Sequence, residues 1–478
     1  LQVVLDQVFN HTAAAGQSPT SVLDRIVPGY YQRLDAKGDI FTSTCCSNTA
    51  TENTMAERLM IDSVVTWARD YHVDGFRFDL MGYHSVQTMQ ALRSALDELT
   101  LEADGVDGSA VYLYGEGWNM GEIANNALFT TATQGQLNGT GIGTFNDRLR
   151  DAVHGGGPFD QDPRTYQGFG TGLYTDPSGL DPRSQEEQLA DLGHATDLIQ
   201  LSLAGNLSSF TFTTHDGTVR SGAQIDYNGQ PAGYASSPEE TINYVDAHDN
   251  ETLYDLGILK LPTGTSVADR VRMNTLSLAT VALGQSPTLW AAGTEILRSK
   301  SLDRDSYNSG DHFNAIDWTC QTNGYGNGLP VASANGSKWD IMRPLLEDPA
   351  LKPSPEDIAA SQAQVLDLLR IRTSTPLFHL GSAELIQERV SFPNSGPGAT
   401  PGVITMLIED RPLPGAGTGG GTGMRTASTN RVDIDPQVGA VLTVFNATDE
   451  PVSETISDLQ GRQFVLHSVQ AEGADPVV

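Results

Sequence analysis

Residues 74–84 read Asp74-Gly75-Phe76-Arg77-Phe78-Asp79-Leu80-Met81-Gly82-Tyr83-His84. With Val73 ahead of it, the stretch 73–78 predicts a strand, and alternation puts Gly75, Arg77 and Asp79 on one face. An arginine and an aspartate inside an apolar strand are costly to bury unless they are paired or used. A helical pattern over 84–99 follows directly. A strand with charges at its C-terminal end, running into a helix, is the expected form of a βα unit with chemistry at its mouth.

The same alternation extends in both directions. Strands are predicted at 3–5, 111–114, 141–145, 242–245 and 288–292, and helices at 54–71, 184–204, 267–283 and 355–372. Ser354 or Pro355 is placed to start the last of these. Six strands joined by helical patterns predict an α/β fold with a parallel sheet. If this is a (β/α)8 TIM-type barrel, it lacks its first two βα units in this chain and is expected over residues 1–375. After Pro376 short alternating runs at 402–409 and 440–446 predict a C-terminal all-β sandwich over 376–478, expected to be truncated at its end, with a glycine-rich loop at 412–423. The opening Leu-Gln-Val-Val-Leu reads as a buried strand without initiator methionine, so the chain is expected to begin inside a domain.

Composition narrows the function classes. The 478 residues are 38% hydrophobic and 7% aromatic, enough for a large core, and no run of about eighteen apolar residues predicts a membrane span. A net charge of −31 excludes nucleic acid as partner, since a phosphate backbone would be repelled, and suits a neutral polysaccharide. Three cysteines exclude a zinc ribbon or a disulfide scaffold. The adjacent pair Cys45 and Cys46 leaves two readings open, a disulfide between neighbours in an oxidising compartment or two thiols. His194, His215 and His312 lack ligand spacing and read as surface or satisfied core histidines. Gly155-Gly156-Gly157 lacks the Lys-Ser/Thr of a phosphate loop and reads as a turn.

Four segments sit where a predicted strand ends. They are Asp6-Gln7-Val8-Phe9-Asn10-His11; the 74–84 stretch; Tyr114-Gly115-Glu116-Gly117-Trp118-Asn119; and Asn243-Tyr244-Val245-Asp246-Ala247-His248-Asp249-Asn250. Together they offer three carboxylates, Asp79, Glu116 and Asp249, with His11, Arg77 and His248 beside them. Glycoside hydrolysis needs a carboxylate pair, an acid for the leaving oxygen and a base or nucleophile. Arg77 is expected to hold Asp79 ionised, and an apolar surround is expected to keep Glu116 protonated.

In order and in wording these segments resemble the four signature regions of the α-amylase superfamily. The resemblance covers 1 to about 375, and the tail resembles that family's C-terminal β-domain. It implies Asp79 as nucleophile, Glu116 as general acid/base and Asp249 as transition-state stabiliser. It further implies that Arg77 steadies Asp79, that His11 and His248 bind sugar hydroxyls, and that Asp6 is structural. Asn10 matches a position that helps bind calcium in many members, so a structural calcium is expected there while the chemistry needs no cofactor. Many α-amylases carry Lys-His where this chain has Gly82-Tyr83. The 74–84 stretch, Tyr-Gly-Glu-Gly-Trp-Asn at 114–119, and the runs at 43–50, 145–159 and 298–314 resemble pullulanases and limit dextrinases. That implies a retaining hydrolase of α-1,6 branch points in α-glucans, with Trp118, Asn119 and Tyr83 among the sugar contacts. The alternatives are an α-1,4-acting amylase or neopullulanase, and a fragment that at most binds glucan. Upstream carbohydrate-binding domains and a secreted or periplasmic location are expected of the parent protein.

Overall fold

The computed structural model describes residues 1–410 and 432–475, so the glycine-rich loop expected at 412–423 lies outside the described residues. The chain divides into two compact units, one of Leu1–Phe145 and Tyr234–Ile242, the other of Asn146–Gly233 and Asn243–Val478.

The first unit is built on parallel strands in sequence order: β1 (Val4–Gln7), β2 (Gly75–Phe78), β3 (Tyr112–Gly115), β4 (Gly143–Phe145) and the first half of β5 (Thr241–Tyr244). Helix α1 (Thr54–Tyr71) links β1 to β2, and α2 (Val86–Asp97) links β2 to β3. Helix α1 buries Ala56, Met60, Val64 and Ala68, a stripe at four-residue spacing, and stops at His72 in the left-handed conformation. Helix α2 is started by Ser85, whose hydroxyl accepts the Thr88 N–H at 2.9 Å, and buries Val86, Met89, Leu92 and Leu96. Both pack with Phe76, Phe78 and Leu113 into one core.

Strand β2 is buried at all four residues, as a parallel strand covered on both faces should be. Strand β1 is not. Val3 and Val4 are 57% and 44% exposed, against the expected buried strand. The reason is position: β1 pairs with β2 on one side, and no strand among the described residues pairs its other edge.

In the second unit the last half of β5 pairs in parallel with β6 (Thr288–Leu289), Asn243 opposite Thr288 and Tyr244 opposite Leu289. Around them lie α3 (Asp147–His154), α4 (Gln185–Leu203), α5 (Leu253–Lys260), α6 (Val267–Ala282) and α7 (Pro355–Thr373). Capping boxes formed by Ser184 with Glu187, and by Ser354 with Asp357, fix the starts of α4 and α7. A core of Tyr254, Ile258, Val271, Ile296, Leu302 and Ile358 holds α5, α6 and α7 together.

The C-terminal part of this unit is antiparallel: β7 (Val390–Ser391), β8 (Val403–Glu409) and β9 (Ala440–Asn446) form, among the described residues, one three-stranded sheet. Its entry is pinned by a buried ion pair between Arg389 and Asp410, 1% and 0% exposed at the side chain. Among the described residues no helix is long and apolar enough to cross a membrane.

Candidate active site

In the first unit the ends of β1, β2 and β3 deliver four charged groups to one place. Asp6 lies opposite Arg77 in the ladder, and Phe78 opposite Gly115, so Asp79 and Glu116 each follow one residue of a paired couple. Arg77 Nη1 donates to Asp6 Oδ1 at 2.9 Å and to Asp79 Oδ1 at 3.2 Å, while Nη2 reaches Glu116 Oε1 at 3.0 Å. One guanidinium therefore serves three carboxylates. Burial opposes its charge, but Glu116, Asp6 and Asp79 outweigh that and raise its pKa above the usual arginine value. The chain turns after Asp79 through Leu80, a non-glycine residue at φ 40° and ψ 48°. That conformation aims the Leu80 N–H at Glu116 Oε2, 2.7 Å away. The apolar surround expected for Glu116 is thus corrected: it is largely buried, but its oxygens face a guanidinium and a backbone N–H.

Asn10 is fully buried and settles the neighbourhood of Asp79. Its amide nitrogen donates to the Asp79 carbonyl and to Asp79 Oδ2, both at 2.7 Å. Its oxygen lies 2.5 Å from His11 Nδ1. With the Asn10 oxygen as acceptor, Nδ1 carries the proton and Nε2 presents a lone pair. The Asn10 oxygen, the atom expected to help bind calcium, is turned to His11. His11 Nε2 itself lies 3.5 Å from Cys45 Sγ, and Cys45 and Cys46 are joined to each other as a disulfide.

Tyr83 is a correction. Expected to touch substrate, it is 1% exposed, with its hydroxyl 2.8 Å from Ser43 Oγ, and it has no surface to offer a sugar. It belongs instead to a polar network that sequence reasoning missed. Arg33, 3% exposed, donates to Glu52, to Glu122 and to the Tyr83 carbonyl. The Glu122 carboxylate also accepts from Asn48 and Ser43. Burial pushes its pKa up, but the bonds from Ser43, Asn48 and Arg33 outweigh burial and hold it below the usual range. The signal was an arginine near Cys45–Cys46 and a glutamate after Trp118, invisible as a pair because 89 residues separate them.

Gly82 has a steric cause. A Cβ there would sit 2.3 Å from the Trp118 carbonyl oxygen and 3.2 Å from Thr133 Cγ2, so no side chain can stand where many α-amylases have lysine. Trp118 is half-buried and Asn119 exposed, and Asn119 bonds the amide and backbone of Asn125 to close the loop beyond it.

In the second unit β5 leads to Asp246, His248 and Asp249. His248 and Asp249 are both 63% exposed at the side chain, with His248 Nε2 3.8 Å from Asp249 Oδ1. They line an open cavity of about 370 Å³ together with Asp246, Arg298, Arg304 and Tyr307. Lys300 shapes its floor, donating to the His248 and Asn250 carbonyls at 3.2 and 2.7 Å. Asp246 is 3% exposed, and burial pushes its carboxyl up to about 6 against the bond it accepts from the Ala291 N–H. His215, set aside as a ligand, pairs with Asp197 at 2.6 Å.

Residues 320–478 match the family described as "Alpha-1,6-glucosidases, pullulanase-type, C-terminal". The chain is 47% identical to pullulanase 1, chloroplastic, of Arabidopsis thaliana over 480 residues, covering all of this chain and 48% of that protein. It is 39% identical to pullulanase of Klebsiella pneumoniae over 474 residues, covering 98% of this chain and 40% of that one. The chain thus spans about half the length of the curated relatives it matches. Among solved structures it resembles the maltotriose complex of PulA from Klebsiella pneumoniae, with a TM-score of 0.84 and 40% identity over 94% of this chain and 45% of that one. Pullulanase from Bacillus acidopullulyticus matches at a TM-score of 0.60 and 28% identity, over 86% of this chain and 39% of that one. Residues 320–478 thus belong to the pullulanase-type α-1,6-glucosidase C-terminal family, and the whole chain is similar to pullulanases in sequence and fold.

Proposed function

We propose that this chain carries the catalytic machinery of a retaining hydrolase that cuts α-1,6 branch linkages in α-glucans. The observation that carries the reading is Arg77 held between Asp79 and Glu116 at the ends of adjacent parallel strands. Such strands run about 4.8 Å apart, which matches the roughly 5–5.5 Å between carboxyl groups that a retaining mechanism requires. The Asp79 carboxylate attacks the anomeric carbon while Glu116 gives its proton to the departing O6, leaving a glycosyl ester on Asp79. Glu116 then takes a proton from the water that opens the ester, and the α-configuration returns. For Glu116 to act, the arriving glycosidic oxygen has to displace one of the donors its carboxylate now faces. Asp249 is assigned the oxocarbenium-stabilising role, and His11, His248, Trp118 and Asn119 the sugar contacts.

The α-1,6 preference rests on Gly82 and Tyr83, which bring the Trp118 loop close behind Asp79, and on the pullulanase relatives. The wider architecture in this reading is a (β/α)8 barrel represented here from its third strand, over residues 1–375, followed by a β-sandwich. An exported, oxidising setting suits the Cys45–Cys46 disulfide.

The test is product analysis with the full-length protein that carries this chain. Pullulan should yield maltotriose with amylose left intact. The first-formed anomer should be α by NMR, and Asp79→Asn, Glu116→Gln or Asp249→Asn should each lower turnover by about 10⁴-fold. Panose or isopanose from pullulan, or rapid loss of amylose, would sink the α-1,6 assignment, and a β product would sink retention.

A further inference from the structure

Among the described residues one group of three His, Cys, Asp or Glu side chains could hold a metal ion: His11, Cys45 and Cys46, with donor atoms all within 4.8 Å of one another. We propose that reduction of the Cys45–Cys46 disulfide opens a three-donor site for a soft or borderline d¹⁰ cation, zinc or cadmium, made by the two thiolates and His11 Nε2.

Three observations support it. The donor types suit the ion, since thiolate and neutral imidazole are the ligands that zinc and its heavier congener take. The imidazole already stands in the tautomer a metal needs. Asn10 Oδ1, 2.5 Å from Nδ1, accepts from that nitrogen, so the neutral ring offers Nε2 to an ion, and the Asn10 amide is itself held by two bonds to Asp79. The spacing fits as well. Zinc–sulfur and zinc–nitrogen bonds of about 2.3 and about 2.05 Å at a tetrahedral angle place the two donors about 3.6 Å apart. Cys45 Sγ and His11 Nε2 are 3.5 Å apart. The sulfur–sulfur contact must open to about 3.8 Å once the bond is broken. Cys45 is exposed and Cys46 and His11 half-buried, so reductant and ion both have access, and a fourth position remains for water.

The chemistry balances with a thiol reductant. Two reductant thiols become one disulfide and pass two electrons and two protons to Cys45 and Cys46, and the divalent ion then displaces those two protons. A consequence follows that rests on the proposed function: an ion on His11 Nε2 withholds that nitrogen from the substrate hydroxyl, so reduction in the presence of zinc shuts the site.

Cadmium titration of the full chain, read by its thiolate charge-transfer absorbance, tests the site without reference to activity. After reduction two further titratable thiols should appear, those of Cys45 and Cys46 beside Cys320, and one Cd²⁺ should bind per chain. Binding should vanish in C45S and C46S, weaken by about tenfold or more in H11Q, and persist in C320S. Mass spectrometry gives a second reading on the unmutated protein: Cd²⁺ should protect Cys45 and Cys46 from alkylation and leave Cys320 unprotected. Binding that needs no reduction, that survives C45S, or that leaves both cysteines open to alkylation would overturn the site. Competition between Cd²⁺ and maltotriose is the separate arm for the shared histidine. Its absence, with cadmium still bound, would count against His11 as a sugar contact and leave the metal site standing.

Discussion

Asp255 offers the sharpest test of how burial is tolerated in the second unit. It is fully buried at the start of α5, where Oδ1 accepts the Ser299 hydroxyl at 2.5 Å and Oδ2 accepts the N–H groups of Lys300 and Leu302 at 2.8 and 3.2 Å. Burial pushes its carboxyl up to about 6, against those bonds and the nearby Lys300 charge. The folded value lies above the unfolded one. Below about pH 4 the group is protonated in both states and contributes nothing. Between about pH 4 and 6 the folded protein holds a proton that the unfolded chain has released, so stability falls as pH rises. Above that window the cost is constant, up to about 3 kcal/mol from a shift of roughly two units. Asp255→Asn removes the titration and keeps the shape, with the amide oxygen serving both N–H groups and the amide nitrogen donating to Ser299. The stability of the variant relative to the parent should therefore climb by up to about 3 kcal/mol between about pH 4 and about pH 7, measured by urea unfolding at both. A difference that stays the same at the two pH values, or shrinks at the higher one, would refute the reasoning.

Two further substitutions probe packing. Gly82→Ala should displace the Trp118 carbonyl, lowering stability by about 1–3 kcal/mol and shifting tryptophan fluorescence, with a raised KM on branched substrate; unchanged unfolding and emission would show that the loop yields freely. Arg389→Met should cost about 3–5 kcal/mol in denaturant unfolding, because Asp410 is left buried without its cation, and adding Asp410→Asn should recover part of that loss.

What could be read in the sequence was what periodicity and capping report. The six parallel strands, the starts of α4 and α7 and the pairing partners β8 and β9 all stand close to where periodicity puts them, and Ser354 starts α7 as expected. Two helices that escaped notice have no readable period. Helix α5 buries seven of its eight residues, Lys260 included, so no polar face betrays its period. The helix Trp339–Leu346 carries Pro344 inside it, which reads as a break. At the site, strand-end carboxylates were visible because each is adjacent in sequence to its strand. The Arg33–Glu122 clamp and the approach of Cys45 to His11 were not, because partners far apart in the chain leave no local pattern. Tyr83 was misjudged for a related reason: nothing in Gly-Tyr-His tells which way a tyrosine faces once the chain has turned through Leu80.

Arg77 connects the legible part to the rest. Parallel strands in register bring their ends side by side, so placing Asp6, Asp79 and Glu116 at three adjacent ends concentrates negative charge around one point. An apolar residue at 77 would leave that charge unopposed, and a lysine, with one nitrogen, could not reach carboxylates on both sides as Nη1 and Nη2 do. The arginine in an otherwise apolar strand, which made 74–84 conspicuous as sequence, is therefore the residue that lets the carboxylates share one site. Its burial is tolerable only because all three are there, and their proximity is tolerable only because it is. The same dependence explains the Asn10 amide on Asp79. With Arg77 on Oδ1 and Asn10 on Oδ2, both oxygens of the carboxylate are held at fixed points, which is the condition for presenting one of them to an anomeric carbon without reorganisation.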